Sequence, residues 1–313
     1  MYADVVFPLK IPPHTYNVPP GAPSDLKGRL VKAPLAGRSS FGLIVDVFEK
    51  PDSSFKTDMK EIQSVLQHFA SEQDISFLKW LSEYYLTPIG IALKSSFFDE
   101  TIKAVNKSGV TKQAVSSLPE LTHNVQQAAD TGAVTAEPAL SSLCSSIKSK
   151  TYRSFLFHAQ SAMHEYSFLS DILFKMRDDI NGVIILVPEI GWIERLESIL
   201  KPIFGGRLTV LHSKLSKGKK SESIRRIVAA ESDVVIGTRS AVLAPLSNIS
   251  FIAVLGEHSR SYKGEEGLRY NGRDVAVMRG YIEKSCVCLS SICPSVESVY
   301  NSVIGKYFPV GSP

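Results

Sequence analysis

The sequence has no apolar run of about 18 residues, the minimum for a membrane-spanning helix, so no span is expected. Met1–Lys10 shows neither the charged lead nor the apolar stretch of a secretion signal, and a cytoplasmic address is the expectation. Cysteine is scarce: Cys144 stands alone, and Cys286, Cys288 and Cys293 fit neither a C-x-x-C zinc clasp nor a secreted disulfide framework. Reduced, partly buried thiols and no metal site follow. No internal repeat is visible. A strong charge of one sign is also missing. Residues 1–149 carry 14 basic and 15 acidic groups, and residues 150–313 carry 21 and 16, a weak basic bias that permits nucleic acid without requiring it.

What is present is enough for several cores: 313 residues, 44% hydrophobic and 21% charged, suit two or three domains. The first fifty residues read as short strands at Ala3–Pro8, Thr15–Val18, Gly28–Ala33 and Phe41–Phe48, broken by Pro12-Pro13, Pro19-Pro20, Gly21, Gly28 and Gly37. Phe77, Leu78, Leu81, Tyr84 and Tyr85 form a helical stripe that ends before Pro88 and Gly90. Residues 101–150 turn rich in Ser, Thr, Ala and Gln. They read as a linker, or as a small winged helix built from Lys112–Ser117, Leu121–Ala129 and the turn at Gly132. From Tyr152 onward, apolar runs at Ser154–Phe157, Gly182–Val187, Leu208–Leu211, Asp233–Ile236, Phe251–Leu255 and Val287–Ser290 alternate with helices such as Trp192–Leu200 and Lys220–Ala230. That alternation predicts a parallel sheet covered on both faces. The expected class is α/β plus a small all-β domain, divided as 1–100, 101–150 and 151–313.

Three segments, Val187-Pro188-Glu189-Ile190, Leu211-His212-Ser213 and Ile236-Gly237-Thr238-Arg239-Ser240-Ala241, come in the order and spacing of the first motor lobe of PriA-type superfamily 2 helicases. Glu257-His258, the aromatic-rich stretch from Ser261 to Val277, and Ser291, Pro294-Ser295 and Glu297-Ser298 resemble that family's Walker B region, the loop after it and its third motif. In the first hundred residues, Thr15-Tyr16-Asn17-Val18-Pro19, Gly28-Arg29-Leu30-Val31, Gly37-Arg38 and Phe41–Val45 resemble its DNA 3′-end-binding domain, with Trp80-Leu81, Tyr84-Tyr85 and Pro88-Ile89-Gly90 similar to the helical segment after it. The resemblance implies a β-barrel-like 3′-end-binding domain at 1–100, a winged helix or linker at 101–150, and a RecA-like helicase lobe 1 at 151–313.

The resemblance also shows what is missing for ATP. A P-loop cradles phosphates with glycine backbone N–H groups, a lysine and a Ser/Thr on Mg²⁺. At the matching place this chain has Ala159, Gln160, Ser161, Ala162, Met163 and His164, with no glycine and no lysine. Histidine is not a fixed cation, so neither His158 nor His164 replaces the lysine. Glu257 and His258 are remnants of a D-E-x-H motif that here reads Leu255-Gly256-Glu257-His258, without the Mg²⁺ carboxylate. The second lobe and the family's zinc module have no counterpart in these residues. Loss of ATP and Mg²⁺ binding is therefore expected, and no catalytic residue or metal is assigned.

Binding surfaces are less exacting than phosphoryl transfer. The resemblance places a 3′-end pocket around Tyr16, Asn17, Gly37 and Lys60, with Tyr16 as an aromatic face for a terminal base; an ordinary hairpin with a half-buried tyrosine accounts for the same residues. It places Thr238 and Arg239 on the DNA-tracking face, beside a lysine-rich stretch, Lys214 to Arg226, that solvation alone explains equally well. Tyr262, Lys263, Arg269, Tyr270 and Arg273 mix aromatic and cationic groups, which suits single-stranded DNA. Three functions follow as expectations. The first is a non-catalytic DNA-binding protein for forks and 3′ ends in replication restart. The second is part of an ATP-dependent 3′-to-5′ helicase completed by another chain, and the third a surface that docks other primosome proteins.

Overall fold

The computed structural model describes residues 1–49, 59–108 and 137–311. The chain divides into two compact units, Met1–Lys112 with Glu266–Leu268, and Gln113–Glu265 with Arg269–Pro313.

In the first unit, β1 (Tyr2–Val6), β2 (His14–Asn17), β3 (Arg29–Leu35), β4 (Arg38–Phe48) and β5 (Ser64–His68) form an antiparallel sheet in the order β2-β1-β4-β3-β5. Alternate side chains point inward, so Ala3, Val5, Tyr16, Val31, Ala33 and Ile44 meet in one buried cluster with Phe7 and Leu26. The β3–β4 hairpin turns on two residues, Ala36 and Gly37, both at positive φ, as a turn matched to right-handed strand twist requires. Asn17, at the end of edge strand β2, also pairs with the stretch leading into the opposite edge. Its N–H donates to the Lys60 carbonyl at 2.9 Å, and its carbonyl accepts from Ile62 N–H at 3.0 Å.

Helix α1 (Glu72–Tyr84) begins with a capping box in which Ser71 and Asp74 satisfy each other's backbone N–H. α2 (Ile89–Ser95) lies so close to the end of β1 that a Cβ on Gly90 would sit 2.2 Å from the carbonyl oxygens of Phe7 and Leu9, which only glycine permits. α3 (Phe98–Ser108) follows.

The two helices of the expected winged module lie in 109–136, outside the described residues. The end of the same stretch corrects the sequence reading. Residues drawn as linker form α4 (Glu137–Lys148), whose Leu143 and Ile147 are buried in the core of the second unit.

The second unit is an α/β lobe. Its strands β6 (Arg153–His158), β7 (Val183–Leu186), β8 (Leu208–Leu211), β9 (Val234–Gly237), β10 (Phe251–Val254), β11 (Cys286–Ser291) and β12 (Tyr307–Val310) form one parallel sheet in the order β12-β6-β11-β10-β7-β9-β8. The helices are α5 (Ala162–Met176), α6 (Ile190–Phe204), α7 (Lys217–Val228), α8 (Gly272–Glu283) and α9 (Val296–Val303). β7, β9 and β10 are buried at every position. Each such aliphatic side chain contributes about 1.5–3 kcal/mol on burial, which explains why these strands read as unbroken apolar runs rather than alternating ones.

Cys286 and Cys288 are buried, Cys144 half-buried and Cys293 exposed, all as free thiols. No helix among the described residues is long and apolar enough to cross a membrane.

Candidate functional site

In a parallel α/β sheet the strands deliver their loops to one edge, and ligands bind outside the carboxyl ends of the strands. The sequence motifs of the lobe all fall on that edge, at two places.

The first place lies beyond β6 and β10, which flank β11. Between β6 and α5 only three residues intervene, Ala159, Gln160 and Ser161. Their donors are engaged locally. The Ala159 N–H donates to the Ser291 carbonyl at 2.9 Å, and the Gln160 N–H donates to Nδ1 of His164 at 3.2 Å. Ser161 is the N-cap of α5, its hydroxyl accepting from His164 N–H at 3.2 Å. The His164 ring stands edge-on to Phe157 with centroids 4.9 Å apart, while Met163 is exposed. One residue further, Glu165 is buried. Its Oε2 accepts from Gly256 N–H at 2.9 Å and the Ser290 hydroxyl at 2.5 Å, and its Oε1 has no partner. Burial pushes the Glu165 carboxyl above the usual range, against the lowering pull of those two donors.

Glu257 follows β10 with its side chain fully buried. Oε1 accepts from Ser295 N–H at 2.6 Å. Oε2 accepts from the Ser295 and Ser298 hydroxyls, each at 2.9 Å, and from Arg273 Nη1 at 3.2 Å. His258 is exposed, and its Nδ1 lies 2.6 Å from the Ser291 hydroxyl.

The second place lies beyond β7, β8 and β9. Pro188, Glu189, Ile190, Gly191, Ser213, Lys214, Thr238, Arg239, Ser240 and Ser261 line a cavity of about 550 Å³. Two helical starts border it without a side-chain cap, that of α6 after Glu189 and a short 3₁₀ turn (Arg239–Leu243) after Thr238. Uncapped N–H groups carry partial positive charge, and Lys214 and Arg239 add full charges, so the wall favours an anion despite Glu189. Gly191 leaves open space where a side chain would stand.

Arg239 is held from behind. Its Nη1 donates to the Lys263 carbonyl at 2.7 Å, its guanidinium lies 5.4 Å from the Tyr270 ring centroid, and the Tyr270 hydroxyl donates to the Arg239 carbonyl at 3.3 Å.

The residues singled out from sequence are therefore placed unequally. Thr238 and Arg239 share the cavity wall, and Lys263 and Arg269 are exposed. Tyr262 is 1% exposed with its hydroxyl on the Leu255 carbonyl at 2.7 Å, and Tyr270 is also buried, so neither ring is a free stacking face. Arg273 is engaged by Glu257, Asp274 and Ser295. Arg225 pairs with Glu222 and Glu231, and Arg226 donates to the Gly206 and Leu208 carbonyls, which removes both from the basic stretch.

In the first unit, Tyr16 is 3% exposed, its hydroxyl donates to the Pro34 carbonyl at 3.0 Å, and its ring stands edge-on to Phe7. The ring expected to receive a base is core. Asn17 and Lys60 come together through their backbones; Asn17 Nδ2 donates to the Met59 carbonyl at 2.8 Å, and Lys60 is exposed. Gly37 is at the hairpin tip with open space around it. The cavity residues Ser213, Gly191 and Ser240 were not singled out as a site, although Ser213 and Ser240 sat within the quoted motifs and Lys214 opened the lysine-rich stretch. Ser295 and Ser298, the donors to Glu257, had the same signal.

Residues 4–97 match the family described as the 3′DNA-binding domain (3′BD) of PriA. The chain is 29% identical over 311 residues to the replication restart protein PriA of Rickettsia felis, covering 97% of this chain and 45% of that protein. It is 42% identical over 127 residues to the PriA of Chlamydia pneumoniae, covering 40% of this chain and 17% of that one. It thus spans less than half the length of these curated relatives. Among solved structures, it is similar to the Hef helicase domain of Pyrococcus furiosus, with a TM-score of 0.38, 13% identity, and 55% of this chain and 37% of that one covered.

Proposed function

Since this chain is PriA-like along nearly its whole length, we propose that it binds DNA in replication restart, at forks, 3′ ends and single strands, and does not hydrolyse ATP. The observation that carries this reading is the contrast between the two places on the sheet edge. Beyond β7 to β9 there is an open, positively lined cavity suited to a backbone phosphate. Beyond β6 the loop carries no glycine and no lysine, and two of its backbone donors are taken, Gln160 N–H by the His164 ring and Ala159 N–H by β11.

The residues present do not fit MgATP. Met163 and His164 supply no fixed cation, and both Glu257 oxygens are already engaged, Oε1 by the Ser295 N–H and Oε2 by the Ser295 and Ser298 hydroxyls and Arg273. Without a lysine, a metal ligand and a free base, neither charge neutralisation nor nucleophile positioning is available.

The first unit supplies the end-binding part. Its sheet is tied edge to edge at Asn17, a barrel-like closure, and the candidate 3′-end pocket is the surface of Asn17, Gly37 and Lys60. Tyr16 supports that surface from beneath.

Two measurements test the reading. Isothermal titration of the full chain with MgATP is expected to show no binding heat; tight uptake, or DNA-stimulated turnover abolished by Glu257→Gln, overturns it in favour of a helicase part. Fluorescence anisotropy at low salt is expected to show tighter binding to a fork with an exposed leading-strand 3′ end than to a blunt duplex. Equal affinities refute end capture, and binding to neither leaves docking of other restart proteins as the better account.

A further inference from the structure

Glu257 stands where a motor keeps the carboxylate that orients water, yet both of its oxygens are engaged, Oε1 by Ser295 N–H and Oε2 by Ser295, Ser298 and Arg273. Ser295 and Ser298 are the N-cap and third residue of α9, and Arg273 is the second residue of α8. Arg273 is fixed in turn by Asp274 at 2.8 Å and the Ser295 hydroxyl at 2.7 Å. A guanidinium held this way fixes the first turn of its helix.

That turn carries Arg239. Asn271 caps α8 through Arg273 N–H and pairs with Lys263 in an antiparallel bridge, while Gly264 N–H donates to the Tyr270 carbonyl at 2.8 Å. Lys263 and Tyr270 are the residues that grip Arg239. Gly272, the first residue of α8, lies so near that a Cβ there would meet Arg239 Cγ at 3.0 Å and Tyr262 Cδ1 at 3.3 Å. From Glu257 to Arg239 the path is continuous: buried carboxylate, Arg273, the start of α8, the Lys263–Tyr270 loop, Arg239.

We propose that Glu257 is a positioning residue for DNA: through Arg273 and the first turn of α8 it holds Arg239 at the cavity wall, so that backbone-phosphate binding needs no nucleotide. The proposal rests on the reading of that cavity as a DNA site. Here serine hydroxyls, the Ser295 N–H and Arg273 engage the carboxylate, and Arg239 is held by the Lys263 carbonyl.

The test is anisotropy of a fluorescent single strand across a salt series, with the full chain as wild type, Glu257→Gln, Arg239→Ala and the double variant, and circular dichroism melting to establish that each is folded. Glu257→Gln is expected to weaken binding about fivefold and to reduce the log–log salt slope by about 0.7, the loss of one phosphate contact on a single strand. The double variant is expected to bind no more weakly than Arg239→Ala, because both remove the same contact. Ser298→Ala removes one donor to Glu257 without changing charge. It is expected to weaken binding in the same non-additive way, and it carries the test alone if Glu257→Gln does not fold.

A folded Glu257→Gln, or Ser298→Ala in its place, with wild-type affinity and slope, or with a loss that adds to that of Arg239→Ala, overturns the proposal while leaving the cavity as the DNA site. Arg239→Ala binding like wild type is the distinguishable failure: the cavity reading falls, and the proposal with it.

Discussion

Glu165 is a buried acid with two donors on one oxygen and none on the other, and its burial makes it titrate unusually. Its folded-state carboxyl is raised by burial, so the folded chain holds the proton more readily than the unfolded chain does. A raised group stabilises fully in acid, and its contribution is lost as pH climbs through the raised value. Glu165→Gln cannot titrate. The melting temperature of wild type is therefore expected to fall relative to that of the variant as pH rises from about 4 to about 8; a gap constant across pH would remove the account.

Tyrosines teach a related lesson at the same scale. A phenol has an apolar face and a polar tip, and composition does not say which one is used. Tyr16, Tyr262 and Tyr270 all use the tip on a backbone carbonyl and bury the ring; burial pushes the Tyr270 hydroxyl up to about 12. Aromatic residues that read as stacking faces are framework, and one of them, Tyr270, holds Arg239.

Among the elements, α5 begins only three residues after the end of β6. Ser161 caps it, and Ser161→Ala is expected to cost about 1 kcal/mol in urea unfolding while leaving any DNA affinity unchanged; a larger loss would mean that the hydroxyl does more than cap. β9 ends at Gly237, where a Cβ would sit 1.9 Å from the Leu211 carbonyl oxygen of β8. Gly237→Ala is expected to force the two strands apart, lowering the unfolding midpoint in urea and weakening DNA binding together, since Thr238 and Arg239 follow directly.

The fully buried strands were legible because apolar runs between helices have few alternative uses. β5 and β12 were not. β5 is only half-buried and shows no alternation, and β12 carries Pro309, which an edge strand tolerates. α4 was hidden by its serines, which favour loops in isolation. Ser146 within the helix and Ser149 just past its end return their hydroxyls to the carbonyls of Ser142 and Ser145, while Leu143 and Ile147, four apart, reach the core.

For the whole chain, charge sets the expected binding behaviour. The excess of basic groups lies in residues 150–313, where Lys214 and Arg239 line the cavity and Lys263 and Arg269 are exposed. If these four contact phosphates of duplex arms, the logarithm of affinity for a fork is expected to fall against the logarithm of salt with a slope of about −3 to −4. A slope near zero would assign the basic excess to solvation.

Local pattern was enough to predict the parallel lobe and a small all-β N-terminal domain, because hydrophobic periodicity is a property of neighbours in the chain. It could not say where a carboxylate's acceptors go or which way a ring faces. Ser295 and Ser298 lie 38 and 41 residues from Glu257, and Pro34 lies 18 from Tyr16. Hydrogen bonds over such separations exist only once the sheets have brought their ends together. That meeting turns Glu257 from a candidate motor remnant into a buried clamp and Tyr16 from a candidate platform into core.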